Sequence, residues 1–321
     1  MKEITPFFKS ILLFIPFSVA AYITFIVIAG IIPFQFLKPN INYRIGSYGH
    51  MYSRINEIKN YKNIDILFLG SSHCYRGFDT RIFKKEGFSV FNLGSSGQTY
   101  IQTYVLLERY LKLLNPKMII LEVSPEIFES DGVESSMDII ANDKNDLFTL
   151  TSLIKWNNIK TINTGIFGFY NDLFKKNKDF IENKKKGKDL YISGGFVEKE
   201  LMYYNPGDIK KKTIKLKDEQ ILAFNKVIEK IKEKDIKLIL VQAPITKSRY
   251  NSFLNSPVFD NMMVTTGEYY NFNNLIELND SVHFYDSHHL NQKGVSTFNK
   301  ELITILKLKE KVRTHNNVYK K

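Results

Sequence analysis

Three short polar segments of this chain carry the residue types needed for nucleophilic acyl chemistry. They are the segments 70–73 (Gly-Ser-Ser-His), 92–99 (Asn-Leu-Gly-Ser-Ser-Gly-Gln-Thr) and 286–291 (Asp-Ser-His-His-Leu-Asn). A serine hydroxyl becomes a nucleophile when a histidine accepts its proton, and a carboxylate orients that histidine. We therefore expect Ser72 to be the nucleophile, His289 the base and Asp286 the orienting acid.

Fixed N–H donors must meet the oxyanion that forms during acyl transfer. The backbone amides of Ser72 and Gly97 can supply them, because glycine lets a substrate approach the backbone closely. Asn92 and Gln98 lie in the same segment as Gly97 and have two open interpretations. Their side chains hydrogen-bond a substrate, or they satisfy backbone groups of their own loop.

The third segment is rich in histidine, which admits two further interpretations. His283, Asp286, His288 and His289 have side chains that suit zinc or iron. No distant acidic or histidine residue with ligand spacing accompanies them, so we expect neither a metal nor another cofactor. His288 competes with His289 for the role of base. We assign His288 to substrate binding instead, since adjacent residues at the start of a helix point in different directions.

The polar segments follow apolar runs that predict buried strands. The predicted strands are Ile64–Gly70, Phe88–Asn92, Lys117–Val123, Ile236–Ala243 and Val282–Tyr285. Apolar residues at helical spacing predict helices over 98–114, 218–234 and 292–308. This alternation predicts a parallel sheet covered by helices on both faces, with ligands gathering at the carboxyl ends of its strands.

The N-terminal region contains a long apolar segment. No charged residue lies between Lys9 and Lys38, a stretch of 28 residues that exceeds the ~20 needed to cross a bilayer as a helix. A cleavable signal peptide has a shorter apolar core, followed by a small-residue cleavage site. We therefore expect one uncleaved membrane anchor. The basic residues on its two sides nearly balance, so charge leaves its orientation open.

The composition excludes several classes of protein. A chain of 321 residues with 44% hydrophobic and 24% charged residues is neither disordered nor of low complexity. A single cysteine, Cys74, excludes an internal disulfide framework. The net charge of +12 suits an anionic partner, whether nucleic acid, a phospholipid surface or an acidic polymer. The lysine-rich run 175–188 is either a solvated face or a landing surface for an anionic glycopolymer.

The three polar segments resemble blocks I, II and V of the SGNH (GDSL-like) hydrolases. The matching patterns are Gly-x-Ser at 70–72, Asn-x-Gly-x-Ser-Gly-x-Thr at 92–99 and Asp-x-x-His-Leu-Asn-x-x-Gly at 286–294. The resemblance implies a three-layer α/β/α sandwich with a mostly parallel sheet, preceded here by one transmembrane helix. It also implies Ser72 as the nucleophile, Gly97 as the second oxyanion donor, Asp286 as the acid and His289 as the base.

Two departures separate this chain from the family pattern. Ser71 stands where the family has an aspartate, and Val-Ser-Pro-Glu at 123–126 replaces the Gly-x-Asn-Asp of block III. Loss of that asparagine removes an oxyanion donor, an effect typically worth ~10²–10³ in rate. This combination is similar to a membrane-anchored branch that resembles the teichoic-acid D-alanyl transfer protein. That resemblance implies a domain on the outer side of the cytoplasmic membrane.

The resemblance implies an esterase or O-acyltransferase that acts on an acetyl or D-alanyl ester of a cell-envelope polymer through an acyl-serine intermediate. The implied partners are a polysaccharide or teichoic-acid-like polymer, the membrane and a membrane-bound O-acyltransferase, rather than nucleic acid. The alternative is a catalytically degenerate scaffold that binds an envelope polymer or organises an acylation complex. The two departures favour the scaffold, and the retained Ser72, Asp286 and His289 oppose it.

The expected division of the chain follows from these segments. We expect residues 1–38 to form the anchor, 39–63 a stalk and 64–310 the SGNH-like domain, followed by a basic tail at 311–321. A long irregular insertion at about 124–216 interrupts the domain, so the expected catalytic segments lie on both sides of it.

Overall fold

A five-stranded parallel sheet forms the centre of the structure. This computed structural model describes residues 4–34, 36, 38, 40–47, 49–146, 148–149, 158–308 and 310, so the expected basic tail lies outside the described residues. The strands of this sheet are β1 (Ile66–Leu69), β2 (Val90–Asn92), β3 (Met118–Glu122), β7 (Lys237–Gln242) and β8 (Tyr269–Asn271), and they lie side by side in the order β2-β1-β3-β7-β8. The predicted parallel α/β architecture is confirmed.

Helices cover both faces of the sheet because strand side chains point alternately to opposite sides. The helices are α1 (Ile4–Ile31), α2 (Met51–Glu57), α3 (Ser72–Gly77), α4 (Thr80–Lys85), α5 (Tyr100–Leu114), α6 (Pro125–Glu129), α7 (Val133–Asn142), α8 (Ile159–Leu173), α9 (Asp218–Lys232), α10 (Lys247–Tyr250), α11 (Ser256–Thr266), α12 (Phe272–Leu275), α13 (Asp280–His283) and α14 (Gln292–Ile305). Leu67 and Leu69 of β1 belong to the apolar core shared with α5 and α9. Ile66 and Phe68 belong to the opposite core, shared with α3, α4 and α14.

The fifth strand of the sheet is β8, and the strand predicted at Val282–Tyr285 is wrong. The side chain of Asn279 caps α13 there, since its Oδ1 accepts the backbone N–H groups of Ser281 and Val282 at 3.0 and 3.1 Å. This cap begins a short helix where the apolar residues had indicated a strand. β8 pairs with β7 at the edge of the sheet and is only partly buried, so no apolar run marks it in the sequence.

The insertion between β3 and α9 contains regular structure where we expected an irregular segment. It includes α6, α7, α8 and an antiparallel sheet of β4 (Lys185–Lys186), β5 (Asp189–Ile192) and β6 (Phe196–Lys199). Helices α7 and α8 bury polar side chains, among them Ser135, Asp138, Thr161 and Asn163. Polar residues on the buried face interrupt the apolar pattern that marks a helix packed on a core, so we had expected this segment to be irregular.

The N-terminal helix α1 is long and apolar enough, over Phe7–Ile31, to cross a membrane. The segment after it, expected as a stalk, contains α2. The guanidinium of Arg54 in α2 is buried and donates to the carbonyl oxygens of Gly49 and Gly195 at 3.0 and 2.8 Å. This segment is therefore packed on the body, while the proposed limits of anchor and stalk stay predictions.

Candidate active site

Ser72 is the first residue of α3 and lies just beyond the carboxyl end of β1. Gly70 makes the turn between them with a φ of 145°, and a Cβ at this position would lie 2.7 Å from the Cβ of Glu122. Only glycine fits such a turn. Ser71 caps the helix, because its hydroxyl accepts the N–H of His73 at 3.3 Å. The strand, the glycine turn and the capped helix together fix the position of Ser72.

Ser72, His289 and Asp286 form one hydrogen-bonded chain. The Oγ of Ser72 lies 2.8 Å from Nε2 of His289, and Nδ1 of the same ring lies 2.8 Å from Oδ2 of Asp286. The other carboxylate oxygen of Asp286 accepts the backbone N–H groups of His288 and His289 at 2.9 and 2.7 Å. These distances fit a nucleophile, its base and an orienting acid. The fold thus joins two residues that are 217 positions apart in the chain.

The surroundings favour a neutral His289 and an ionised Asp286. Burial of the His289 ring, with His73 and His288 close by, lowers its pKa to about 3, although Asp286 acts in the opposite direction. For Asp286, burial acts upward, but the hydrogen bond and charge of His289 hold its pKa well below the usual range. At neutral pH the imidazole is therefore able to accept a proton from Ser72, and the carboxylate is able to orient it.

The backbone amides of Ser72 and Gly97 are unpaired within the part of the chain that the structure describes. No acceptor among the described residues takes either N–H. The two loops are in contact, since the N–H of Ser95 donates to the carbonyl oxygen of Gly70 at 3.2 Å. Gly97 has a φ of 56°, a conformation that glycine adopts without strain. Both amides are available to donate to a substrate oxyanion.

Asn92 and Gln98 are buried and use their side-chain amides inside the protein. Nδ2 of Asn92 donates to the carbonyl oxygen of Cys74 at 2.9 Å. Oε1 of Gln98 accepts from the Ser95 hydroxyl at 2.9 Å, and its Nε2 donates to the Thr103 hydroxyl at 2.9 Å. Of the two interpretations, these contacts support the one in which both side chains hold the loop that carries Gly97.

His288 lies beside the triad of Ser72, His289 and Asp286. Its ring centroid is 4.1 Å from that of His289, and its side chain is 34% exposed. This position suits contact with a substrate. The candidate ligand atoms of Asp286, His288 and His289 lie within 4.8 Å of one another. However, Ser72 and Asp286 occupy both nitrogens of His289, so an ion bound there would break the triad. The fourth candidate ligand, His283, accepts the backbone N–H of Asn279 through Nδ1 at 2.9 Å.

Glu122 and His73 form a second carboxylate–imidazole pair behind the triad, which motif spacing did not indicate. Oε2 of Glu122 accepts the N–H and the hydroxyl of Ser71 at 3.0 and 2.9 Å, and Oε1 lies 3.5 Å from Nδ1 of His73. The His73 ring lies 5.3 Å from the ring of His289. Burial acts to lower the pKa of His73, but Glu122 raises it above its ordinary value. The sequence signal that could have indicated Glu122 is its position as an acidic residue near the end of an apolar strand.

The segment 123–126, which departs from the SGNH pattern in the sequence, begins an element that carries an ion pair. This element is α6, and the carboxylate of Glu126 contacts the guanidinium of Arg249 at 2.6 Å. Nη1 of Arg249 also donates to the hydroxyl of Ser287, in the polar segment 286–291, at 3.2 Å. Arg249 thus connects α6 and α10 to the loop that carries His288 and His289.

The chain matches no protein-family model, and no curated protein matches it. Among solved structures, it is similar to a protein described as a candidate acylhydrolase from Bacteroides fragilis, at 11% identity and a TM-score of 0.42, over 83% of this chain and 99% of that one. It is similar to a GDSL-like lipase from Bacteroides thetaiotaomicron, at 11% identity and a TM-score of 0.39, over 80% of this chain and 98% of that one. It is also similar to an acetyl xylan esterase, at 13% identity and a TM-score of 0.28, over 75% of this chain and 99% of that one. These identities and TM-scores are too low to assign an activity to this chain.

Proposed function

We propose that this protein is a serine esterase or O-acyltransferase of the SGNH type. The observation that carries the proposal is the 2.8 Å contact of Ser72 with His289, whose ring is itself 2.8 Å from Asp286. Ser72 Oγ attacks the acyl carbonyl carbon while Nε2 of His289 takes the hydroxyl proton. The amides of Ser72 and Gly97 donate to the resulting oxyanion. Collapse breaks the ester C–O bond, and His289 gives its proton to the departing alcohol.

The acyl-Ser72 intermediate is resolved by a second nucleophile. Water gives hydrolysis and the hydroxyl of an acceptor gives transfer. In both cases His289 takes the incoming proton and then returns it to Ser72. The proposed substrate is an acetyl or D-alanyl ester of a cell-envelope polymer. A polymer needs an open site, and the side chains of Asp286 and His288 are 36% and 34% exposed.

The proposed setting is the outer face of the cytoplasmic membrane. Helix α1 is the proposed single-pass anchor, because its apolar segment Phe7–Ile31 is 25 residues long and mostly exposed. The outward orientation rests on the resemblance to the membrane-anchored SGNH branch. A membrane-bound O-acyltransferase is the proposed source of acyl groups. The lysines of 175–188 are the proposed landing surface for an anionic polysaccharide or teichoic-acid-like polymer.

Labelling of the full-length protein in detergent with a fluorophosphonate tests for an activated serine. We expect the wild type to be labelled and the Ser72→Ala and His289→Ala variants to lose the label. Ser287→Ala is the matched control, because the Ser287 hydroxyl also lies near an imidazole, 3.2 Å from Nδ1 of His288. That contact uses the nitrogen that the triad reserves for its carboxylate, so labelling is expected to persist in Ser287→Ala.

The labelling pattern separates the enzyme from the scaffold. Loss of label in Ser72→Ala and His289→Ala, with retention in Ser287→Ala, supports the acyl-serine mechanism. Folded wild-type protein that takes no label, or label that survives in Ser72→Ala, contradicts the mechanism and favours a degenerate scaffold. Near-UV circular dichroism of each variant verifies that the fold is intact.

A further inference from the structure

Helix α8 packs along the apolar helix α1 through contacts that membrane helices use with one another. The hydroxyl of Tyr22 donates to Oδ1 of Asn163 at 2.6 Å. A Cβ on Gly30 would overlap the ring of Phe167, so a glycine is needed for the close approach of the two helices. Ile26 and its neighbour Ala29 are buried in the same contact. Small residues and interhelical hydrogen bonds of this kind are typical of helix contacts in membranes.

The contact extends well into the apolar segment of α1. At about 1.5 Å per residue, Tyr22 lies about 14 Å inside the C-terminal end of the candidate span at Ile31. The hydrocarbon core of a bilayer is ~30 Å thick. If α1 crosses the membrane as proposed, the part of α8 that contacts Tyr22 lies beside a part of α1 that is within the hydrocarbon core of the bilayer.

The side of α8 that faces away from the body is apolar and uncovered. Ile159 and Leu173 are 51% and 65% exposed, and Phe169 between them is also exposed. Positions spaced by ten and fourteen residues lie on one side of a helix. No charged residue occurs between Lys160 and Asp172. Among the residues that the structure describes, none buries this face, whereas the opposite side packs on α7.

We propose that the exposed face of α8, defined by Ile159, Phe169 and Leu173, lies in the lipid bilayer next to α1. The occupant of this surface is lipid because the surface is continuous with the candidate membrane span and no charged residue lies between the exposed Lys160, near its N-terminal end, and Asp172. The exposed Lys175 and Lys176, directly after α8, lie where they would meet anionic headgroups. The body is then held on the membrane by two elements instead of by a single flexible tether. This inference rests on α1 being the anchor.

Quenching of tryptophan fluorescence by brominated lipid tests this placement on the full-length protein in vesicles of brominated phosphatidylcholine. The chain has a single tryptophan, Trp156, so the Trp156→Phe variant has no tryptophan fluorescence of its own. Into it we place one tryptophan at a time, at Phe169 or Leu173. Phe17→Trp in α1 is the control for the anchor, and Val264→Trp, at an exposed position of α11, is the control for water. Vesicles of unbrominated lipid give the reference emission.

We expect bromine to reduce the emission of the Phe17, Phe169 and Leu173 variants by about twofold or more, and to leave that of the Val264 variant unchanged. Quenching in the Phe17 variant alone overturns the placement of α8 and leaves the anchor intact. Absence of quenching in the Phe17 variant overturns the anchor, and the inference about α8 with it. Fluorophosphonate labelling of the same samples reports the catalytic proposal separately, so failure of one proposal is distinguishable from failure of the other.

Discussion

The reactivity of Ser72 is expected to fall as the pH is lowered, which is the acid limb of its pH profile. Replacing His73 by glutamine is expected to move this acid limb to a higher pH. The His73 ring lies 5.3 Å from the ring of His289, and Glu122 favours the protonated form of His73. A protonated His73 opposes protonation of His289, which keeps His289 neutral and able to act as a base in acid solution. Glutamine retains a polar group beside Glu122 and removes the positive charge.

The size of this effect follows from the distance between the two rings. Two unit charges at 5.3 Å repel by about 3 kcal/mol at an effective dielectric of about 20, which corresponds to about two pKa units. In the native site the pKa of His289 is lowered to about 3. The base works only when neutral, so reactivity falls as the pH drops through this pKa. A higher pKa therefore brings the loss at a higher pH, at about pH 5 in the variant.

The assay is the second-order rate of fluorophosphonate labelling between about pH 3 and about pH 8, with folding verified at each pH by circular dichroism. Ser287→Ala is the matched control, because it changes the same loop and removes no titratable group. We expect its reactivity to fall at the same pH as that of the wild type. His288→Gln is unsuitable as a control, because burial and the charge of His73 lower the pKa of His288 only to about 4, so this ring is protonated where His289 titrates. A pH dependence shared by His73→Gln and wild type, or moved equally by Ser287→Ala, refutes the electrostatic argument.

Three further perturbations test the triad, the metal alternative and the packing of the insertion. Asp286→Asn should lower the labelling rate by about 10⁴-fold, because the amide stabilises the wrong tautomer of His289, and a loss below tenfold contradicts that role. Incubation with EDTA should leave labelling unchanged, whereas a loss that zinc restores would support a metal site. Gly195→Ala should lower the free energy of unfolding in urea by about 3 kcal/mol or more, since φ is 97° and a Cβ would overlap the Asn92 carbonyl oxygen. Gly187→Ala, also at positive φ but with no atom within 4 Å of its Cβ, should cost only about 1 kcal/mol. Equal losses in the two alanine variants would show that the overlap is relieved.

The central sheet was predictable because four of its strands are buried on both faces and so appear as apolar runs. Ile64–Gly70 and Lys117–Val123, for example, contain β1 and β3. Strand β8 was not predictable in this way, because it is an edge strand that is only partly buried. Helices α7 and α8 were not predicted for a related reason, since α7 buries hydroxyl and amide groups among apolar ones and α8 buries mostly hydroxyl and amide groups.

The order of the polar segments after strands was enough to predict that the segments of Ser72 and Gly97 meet, because the carboxyl ends of parallel strands share one edge of a sheet. The segment of Asp286 and His289 follows the short helix α13 instead of a strand, so its contact with Ser72 was indicated by the motif alone. The roles of the three triad residues stay predictions until Ser72 is labelled. The spacing of residues said nothing of Glu122 and His73, whose contact depends on β3 lying beside β1. It also left Asn92 and Gln98 with two interpretations, which only the partners of their amides could separate.

Four strands of the central sheet, the long apolar N-terminal segment and the three segments that carry the candidate triad could be predicted from the sequence. Each of these features depends on residues that are close together in the sequence, as a periodic pattern of apolar residues or as a short run of polar ones. Which polar groups pair with one another depends on the tertiary structure: Glu122 pairs with His73, Glu126 with Arg249, and the backbone N–H of Asn92 with the Gly194 carbonyl of the insertion. A buried polar group must find a partner wherever the fold places one, and that partner leaves no periodic trace in the chain.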